Sequence, residues 1–173
     1  MKRIVTAVNV LVTIFFFASS VASEEAKKIE LPPADQSGGK PLLQALKERR
    51  SEREFAPDPL PLPVLSNLLW AAGGVNRPDS GRRTNPTAHD CREIEIYVAL
   101  PEGLYLYEPV PHRLKPILAQ DVRAATGGQP FVAAAPVNLV FVADYARMEG
   151  MPKADQEFYA ATDAGFVSQN VYL

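Results

Sequence analysis

Arginine side chains cluster in one short polar stretch of the sequence. The stretch KERRSEREF, residues 47–55, places Arg49, Arg50 and Arg53 around Ser51. Guanidinium groups present forked donors that match phosphate oxygens, and a serine hydroxyl can bond a phosphate or sugar oxygen. The pattern therefore predicts a site for a phosphate-bearing ligand. The alternative interpretation is the solvated end of a helix.

A helix must position this cluster. Leu42, Leu43 and Leu46 fall on one side of a predicted helix whose last turn reaches the arginines. An anion bound at the C-terminal end of a helix meets the negative end of the helix dipole. Side-chain cations, rather than backbone amides, would therefore have to supply the attraction.

A second polar segment, residues 76–92, is long and rich in turn-forming residues. Loops of this length in globular proteins are usually functional or lie at interfaces. Within the loop, Cys91 is two residues from His89, a spacing that could pair a thiol with a base. A buried or incidental cysteine is the alternative. Cys91 is the only cysteine, so no intramolecular disulfide can form.

Other common catalytic arrangements are missing from the sequence. It contains no Ser/His/Asp set, no cluster of metal ligands and no glycine-rich phosphate loop. His89 and His112 lie on either side of a predicted hairpin, so we predict no metal site. The net charge of −2 gives no support to nucleic-acid binding, which requires a basic surface.

The N-terminal residues have the plan of a secretory signal peptide. Lys2 and Arg3 precede an apolar run, and small residues follow at Val21 and Ser23. We predict a cleavable signal peptide over residues 1–23 and a periplasmic or secreted protein. A membrane anchor is the alternative, but the apolar run is shorter than the ~20 residues that a spanning helix needs. We therefore expect no stable membrane anchor.

The rest of the chain divides into a linker and one domain. Residues 24–40 are polar, contain proline and glycine pairs, and show no sustained apolar period, which predicts a linker. The domain then covers residues 41–173. Its predicted elements are a helix at 63–72, strands at 94–100 and 104–109, helical character between 112 and 134, a buried strand at 136–144 and a helix at 154–173. This order, without regular alternation, predicts an α+β fold.

Several segments, taken in order, carry a family resemblance. They are RRSER, LSNLLWAAGGVNR, RRTNPTA, EIEIYVALPEGLYLYEP, HRL, FVAAAPVNLVFVAD and DAGFVSQNVYL. Together they resemble the nitroreductase superfamily of FMN-dependent oxidoreductases, in particular the azoline-oxidase-like dehydrogenases. The resemblance runs from about Pro41 to Leu173 and depends on the order and spacing of the segments.

The resemblance implies a nitroreductase-like sheet flanked by helices, in a homodimer with two FMN sites at the subunit interface. It assigns Arg49, Arg50, Ser51 and Arg53 to the FMN phosphate and ribityl chain. It assigns the turn formed by Pro86, Thr87 and Ala88 to the flavin held mainly by the partner subunit. No catalytic side chain is identified.

The sequence departs from the family pattern at two places. Asp90 stands where many relatives have asparagine, and a carboxylate near a flavin that becomes anionic would oppose its reduction. We nevertheless include Asp90 among the predicted cofactor-binding residues. Family members also usually continue beyond the QNVYL segment, so we expect the domain to be C-terminally truncated.

The resemblance implies an exported FMN-dependent oxidoreductase acting on a small molecule. Hydride would pass through flavin N5 in a ping-pong mechanism. The sequence identifies neither the substrate nor the electron donor or acceptor. The alternative hypothesis is a truncated, non-catalytic relative that retains a dimerisation or binding surface.

Overall fold

The computed structural model describes residues 27–56 and 58–173. The predicted signal peptide at 1–23 lies outside the described residues, as do residues 24–26 of the predicted linker. Among the helices in the described ranges, none combines the length and the apolar character that a membrane span requires.

An antiparallel five-stranded sheet forms the centre of the fold, in the order β1-β6-β5-β4-β7. A separate hairpin pairs β2 with β3. The strands are β1 Ile29–Glu30, β2 Val75–Arg77, β3 Arg82–Arg83, β4 Ile94–Leu100, β5 Gly103–Glu108, β6 Arg113–Leu118 and β7 Asn138–Ala143.

Helices cover the sheet, and the α+β prediction is confirmed. The helices are α1 Leu42–Glu48, α2 Leu62–Gly73, α3 Pro130–Ala134 and α4 Lys153–Tyr172, with short 3₁₀ turns at Ala88–Asp90, Arg123–Ala125 and Tyr145–Met148. Helix α2 packs against α4, and α4 also contacts β4. The core lies between these two helices and the sheet.

The central hairpin follows from alternating burial along β5 and along the first five residues of β4. In β4, Ile94, Ile96 and Val98 point into the core, and β5 pairs with β4 from Tyr97↔Leu106 to Leu100↔Gly103. Period-two burial is the signal of a strand with one covered face. The predicted hairpin is confirmed.

Helix α2 begins after Pro61 and buries Leu65, Leu69 and Ala72. Pro63 lies in the first turn of the helix, where its missing N–H leaves no intrahelical bond unmade. Each leucine removed from water contributes roughly 2 kcal/mol. The predicted helix is confirmed, and its end is close-packed: a Cβ at Gly74 would lie 2.5 Å from Cδ1 of Trp70.

The predicted helical character between 112 and 134 is wrong for its first part. Residues Arg113–Leu118 form β6, which pairs with β5 from Glu108↔Arg113 to Leu104↔Leu118. Pro116 lacks a ladder donor, but β1 pairs with β6 only at Arg113 and Leu114, so that edge is free at Pro116.

Part of the predicted linker belongs to the sheet. Strand β1 pairs Ile29 with Leu114 and Glu30 with Arg113, and Leu31 is buried in the core. Two paired residues are too few to show a period in the sequence. The segment is therefore attached to the fold at residues 29–31.

Two further elements differ from prediction in their surroundings. Strand β7 was predicted to be buried, but it lies at the sheet edge and is only half-buried. Helix α4 forms as predicted, yet Phe158 and Phe166 on its surface are exposed. The loop at 76–92 contains the hairpin of β2 and β3.

Candidate functional site

The arginine-rich segment follows α1 directly and lies on the surface. Arg49, Arg50, Ser51 and Arg53 are all exposed. Arg50 pairs with Glu52, whereas neither Arg49 nor Arg53 has a carboxylate partner within residues 27–56 and 58–173. The guanidinium of Arg53 lies 5.6 Å from the ring centre of Phe131. Two arginines in the predicted phosphate-binding segment are therefore not neutralised by the fold.

The second predicted group, the turn of Pro86, Thr87 and Ala88, is tied to the protein interior. The backbone N–H of Ala88 donates to Oδ2 of Asp163 on α4 at 2.8 Å. The hydroxyl of Thr87 accepts from the N–H of Arg92 at 2.9 Å and donates to Oε2 of Glu93 at 3.1 Å. Buried carboxylates thus fix the turn from below.

Glu93 and Asp163 form a buried carboxyl pair beneath this turn. Glu93 is 0% exposed and Asp163 is 2% exposed. Burial, followed by the charge of Asp163, raises the pKa of Glu93. In the described part of the chain, Oε1 of Glu93 has no donor. A proton held by Glu93 would let the two carboxyl groups share a hydrogen bond instead of repelling each other.

The backbone just after the turn adopts an uncommon conformation. His89, Asp90 and Arg92 have φ values of 53°, 56° and 53°. Non-glycine residues pay roughly 1 kcal/mol or more for this left-handed region, so packing and hydrogen bonds must hold it. Residues kept in such conformations cluster at functional sites.

Asp90, the predicted site residue that departs from the family pattern, is paired. Its two carboxylate oxygens accept hydrogen bonds from Arg92 at 2.9 and 2.8 Å. The hydrogen bond from Arg92 lowers the pKa of Asp90. The guanidinium therefore compensates the negative charge that the sequence placed near the turn.

A basic cavity of about 430 Å³ opens beside the turn. Its charged lining is Arg77, Arg82, Arg83, Arg92 and Asp90. Thr84 also lines the cavity, and its hydroxyl attaches this lining to α2 by donating to the Ala71 carbonyl at 2.9 Å. Four arginines against one aspartate leave a net charge of +3 in the lining.

The cysteine–histidine hypothesis gains no support from the geometry. Burial and the nearby carboxylates of Glu93 and Asp163 raise the pKa of Cys91, which disfavours the thiolate. The His89 ring makes an edge contact with Tyr159, with ring centres 5.5 Å apart. Cys91 is therefore a partly buried free thiol.

His112, just before β6, joins a partly buried polar network. Its Nε2 lies 2.7 Å from Oγ of Ser66, and its Nδ1 lies 2.9 Å from the Tyr107 hydroxyl. Ser66 is fully buried and donates to the Pro32 carbonyl. The network connects the segment after β1 to α2 and β5, so its role is structural.

Comparison with known proteins identifies the fold family. The model of the nitroreductase family matches residues 46–173. The chain belongs to the nitroreductase family. The matched range contains the arginine-rich segment, the Pro86–Ala88 turn and the basic cavity. The family resemblance inferred from the sequence is confirmed at this level.

Individual relatives agree with this assignment. The chain is 36% identical over 160 residues to a Methanocaldococcus jannaschii protein assigned by name to the nitroreductases, covering 86% of this chain and 78% of that protein. A crystal structure from Ralstonia eutropha, also assigned to the nitroreductases, superimposes with a TM-score of 0.80 and 48% identity. That match covers 85% of this chain and 70% of the other.

A more distant structure shares the fold alone. The Escherichia coli microcin synthetase McbBCD complex, solved with truncated pro-MccB17 bound, contains a chain with a TM-score of 0.59 and 17% identity. The match covers 94% of this nitroreductase-family chain and 68% of the other.

Within this nitroreductase-family fold, the two predicted groups lie in different surroundings. Pro86, Thr87 and Asp90 line the basic cavity, whereas Arg53 lies over Phe131. Sequence reasoning did not single out Arg83, Glu93 or Asp163. The doubled arginine in the polar loop was a usable signal for the first, but only the fold brings Glu93 and Asp163 together.

Proposed function

We propose that this nitroreductase-family protein is an FMN-dependent oxidoreductase acting on a small molecule. The observation that carries the proposal is the family match over residues 46–173, which includes every predicted cofactor-binding residue. When held by these residues, FMN would supply hydride-transfer chemistry through N5, which suits two half-reactions in a ping-pong sequence.

The residues present fit FMN in chemical character. Arg49 and Arg53 are exposed and carry no carboxylate partner in the described ranges, so their donors remain available for a phosphate. Ser51, also exposed, can bond a phosphate or ribityl oxygen. Arg50 would contribute once its pair with Glu52 opens.

The Pro86–Ala88 turn would position the flavin ring. Its backbone is held by Asp163 and, through Thr87, by Glu93. A turn fixed on both sides loses little freedom when a ligand binds, which favours a defined ring orientation. The Asp90–Arg92 pair next to it adds no net charge.

We propose that two such chains form a dimer and that each site uses residues of both. Nitroreductase-family proteins are typically dimeric, and the arginine-rich segment and the turn lie in separate surroundings of one chain. Export remains a proposal supported by the sequence of residues 1–23. Mass spectrometry of the exported protein should find an N-terminus near residue 24, and an N-terminus at Met1 would contradict export.

Flavin titration tests the proposed function. We expect FMN added to the purified protein to show quenched fluorescence and a shifted visible spectrum, with saturation at one flavin per chain. Dithionite should then bleach the bound flavin, and an added nitroaromatic compound should restore its colour. A protein that leaves FMN unperturbed would instead support a non-catalytic relative that retains only a binding surface.

A further inference from the structure

Not all arginine charges in the basic cavity beside the Pro86–Ala88 turn are neutralised by carboxylates of the described residues. Arg92 is committed to Asp90 and to the Gly81 carbonyl, at 3.2 Å. Arg77 donates to the Arg83 carbonyl at 2.7 Å and so braces the hairpin. Arg82 also lines the cavity, and Arg83 lies between it and a second cavity lined by Ile94, Glu95 and Tyr107.

Arg83 is the most unusual of these side chains. It is half-buried, and its guanidinium makes only a long hydrogen bond of 3.5 Å to the Ile94 carbonyl. Within the described residues no carboxylate lies at ion-pair distance from it. A partly desolvated charge without a partner is unfavourable, and an anion from solution would offset part of that cost.

Charges of both signs surround Arg83, those of Arg147 and Arg92 and that of Glu95. Burial, followed by the charges of Arg147 and Arg92, lowers the pKa of Arg83. The cavity lining itself carries four arginines against Asp90, so it would attract an anion that enters the cavity. The attraction is local, because the chain as a whole carries a net charge of −2.

A buried asparagine lies in the cavity wall. Asn85 is 7% exposed and lines the cavity, and its Oδ1 has no donor among the described residues. Its Nδ2 already donates to the Pro86 carbonyl at 3.1 Å. Oδ1 itself is buried on the side of α2, 3.5 Å from where a Cβ on Gly73 would lie, so Asn85 forms part of the cavity wall and the arginines remain its ligand-binding groups.

We propose that this cavity binds the anionic group, a carboxylate or phosphate, of the protein's small organic substrate, with Arg82 and Arg83 as its main partners. The proposal rests on the proposed function, because it places that group beside the turn assigned to the flavin. The volume of about 430 Å³ falls within the range of small-molecule sites. The protein would therefore prefer acidic substrates over neutral ones of the same shape.

Calorimetric titration with a matched pair of probes tests the proposal. The probes are 4-nitrobenzoate, which is anionic, and 4-nitrobenzamide, which is neutral and nearly isosteric. We expect the anion to bind more tightly than the amide, and added salt to weaken the anion only. Titrations are made on the protein with and without FMN, so a failure to bind FMN leaves the anion site testable.

Three charge-removing variants separate the site from general electrostatics. Arg83→Gln and the exposed Arg82→Gln should each weaken 4-nitrobenzoate binding about tenfold or more and leave the amide unchanged. Lys115→Gln removes the same charge from an exposed position on β6 and should have no effect. Arg82→Gln keeps the test valid if Arg83→Gln fails to fold.

Three outcomes would overturn the proposal. One is a wild-type protein that binds neither probe or does not distinguish them. Another is an equal loss for both probes in the arginine variants. The third is a loss of FMN binding, without loss of riboflavin binding, in Arg83→Gln, because the cavity would then hold the cofactor phosphate.

Discussion

The backbone N–H of Ala88 donates a hydrogen bond of 2.8 Å to Oδ2 of Asp163, which connects the surface turn to the last helix. Asp163 is nearly fully buried and Ala88 is half-buried, so water competes little for this bond. Replacement by alanine would leave a half-buried N–H without an acceptor. We expect Asp163→Ala to lower the free energy of unfolding by about 1–3 kcal/mol, measured by urea denaturation.

Asp163→Asn is the informative control for that change. The asparagine oxygen can still accept from Ala88, and its amide can donate to the orphaned Oε1 of Glu93. We therefore expect this variant to be as stable as the wild type or more stable at neutral pH. If alanine and asparagine destabilise the protein equally, the asparagine substitution does not relieve repulsion between the carboxyl groups of Glu93 and Asp163.

The pH dependence of stability should identify Glu93. Its pKa is raised in the folded protein from an ordinary value of 4.5, first by burial. The folded state then binds more protons than the unfolded state above pH 4.5, so this contribution to stability is lost as pH rises through the folded pKa. Glu93→Gln should remove that loss, and its unfolding free energy should exceed that of the wild type at pH 8. An unchanged pH profile would contradict a protonated Glu93.

The sequence predicted correctly those elements that are long enough to show a clear apolar period. Helix α2 has the predicted type because its buried apolar residues recur every three or four positions. The β4–β5 hairpin has the predicted type because apolar residues recur at every second position of its strands. Strand β6 was missed because Leu114, Ile117 and Leu118 also match helical spacing. Pairing with β5 overrode that local preference.

Only part of the candidate site could be predicted from the sequence, because some of its residues are brought together only by the fold. The clustered arginines at 49–53 stand together in the sequence, so their shared chemistry is visible there. Glu93 and Asp163 are far apart in the sequence, and neither has a neighbouring residue that signals a pair. Burial and proximity, which only the fold supplies, give these carboxyl groups their chemistry.

The predicted phosphate contacts can be tested with two flavins. Arg49→Ala and Arg53→Ala should each weaken FMN binding by about 1.5–3 kcal/mol, because each removes a charge-assisted hydrogen bond. Riboflavin, which lacks the phosphate, should bind all variants equally in fluorescence titrations. Lys47→Ala, an exposed change in α1, is the control. Unchanged FMN affinity in both arginine variants would favour the alternative interpretation, in which the segment is only the solvated end of a helix.

The network around His112 predicts a second, opposite pH effect. Burial lowers the pKa of His112 below its ordinary value of 6.5. The unfolded state then takes up more protons below pH 6.5, so stability is lost as pH falls through the folded pKa. Ser66→Ala should cost about 1–3 kcal/mol, since it leaves buried partners unsatisfied. Thermal unfolding from pH 5 to 8 in the Glu93→Gln background, where the opposite effect of Glu93 is removed, measures both changes. Acid-insensitive stability in that background would contradict a neutral, half-buried imidazole.

Exposed apolar side chains predict self-association of the chain. Leu43 on α1 is 80% exposed and Phe158 on α4 is 66% exposed. Removing such side chains from water favours association, and a site shared between subunits makes ligand affinity depend on protein concentration. We expect light scattering to show a dimer that dissociates on dilution, with FMN affinity falling in parallel.

Charged substitutions test which surface the dimer uses. Leu43→Glu and Phe158→Glu should shift the protein toward monomer and weaken FMN binding, because a buried charge at an interface is costly. Val110→Glu is the matched control, since Val110 is 82% exposed but lies outside α1 and α4. If Val110→Glu dissociates the dimer as strongly, the helix surfaces are not the interface. A soluble monomer that binds one FMN per chain would contradict the shared site altogether.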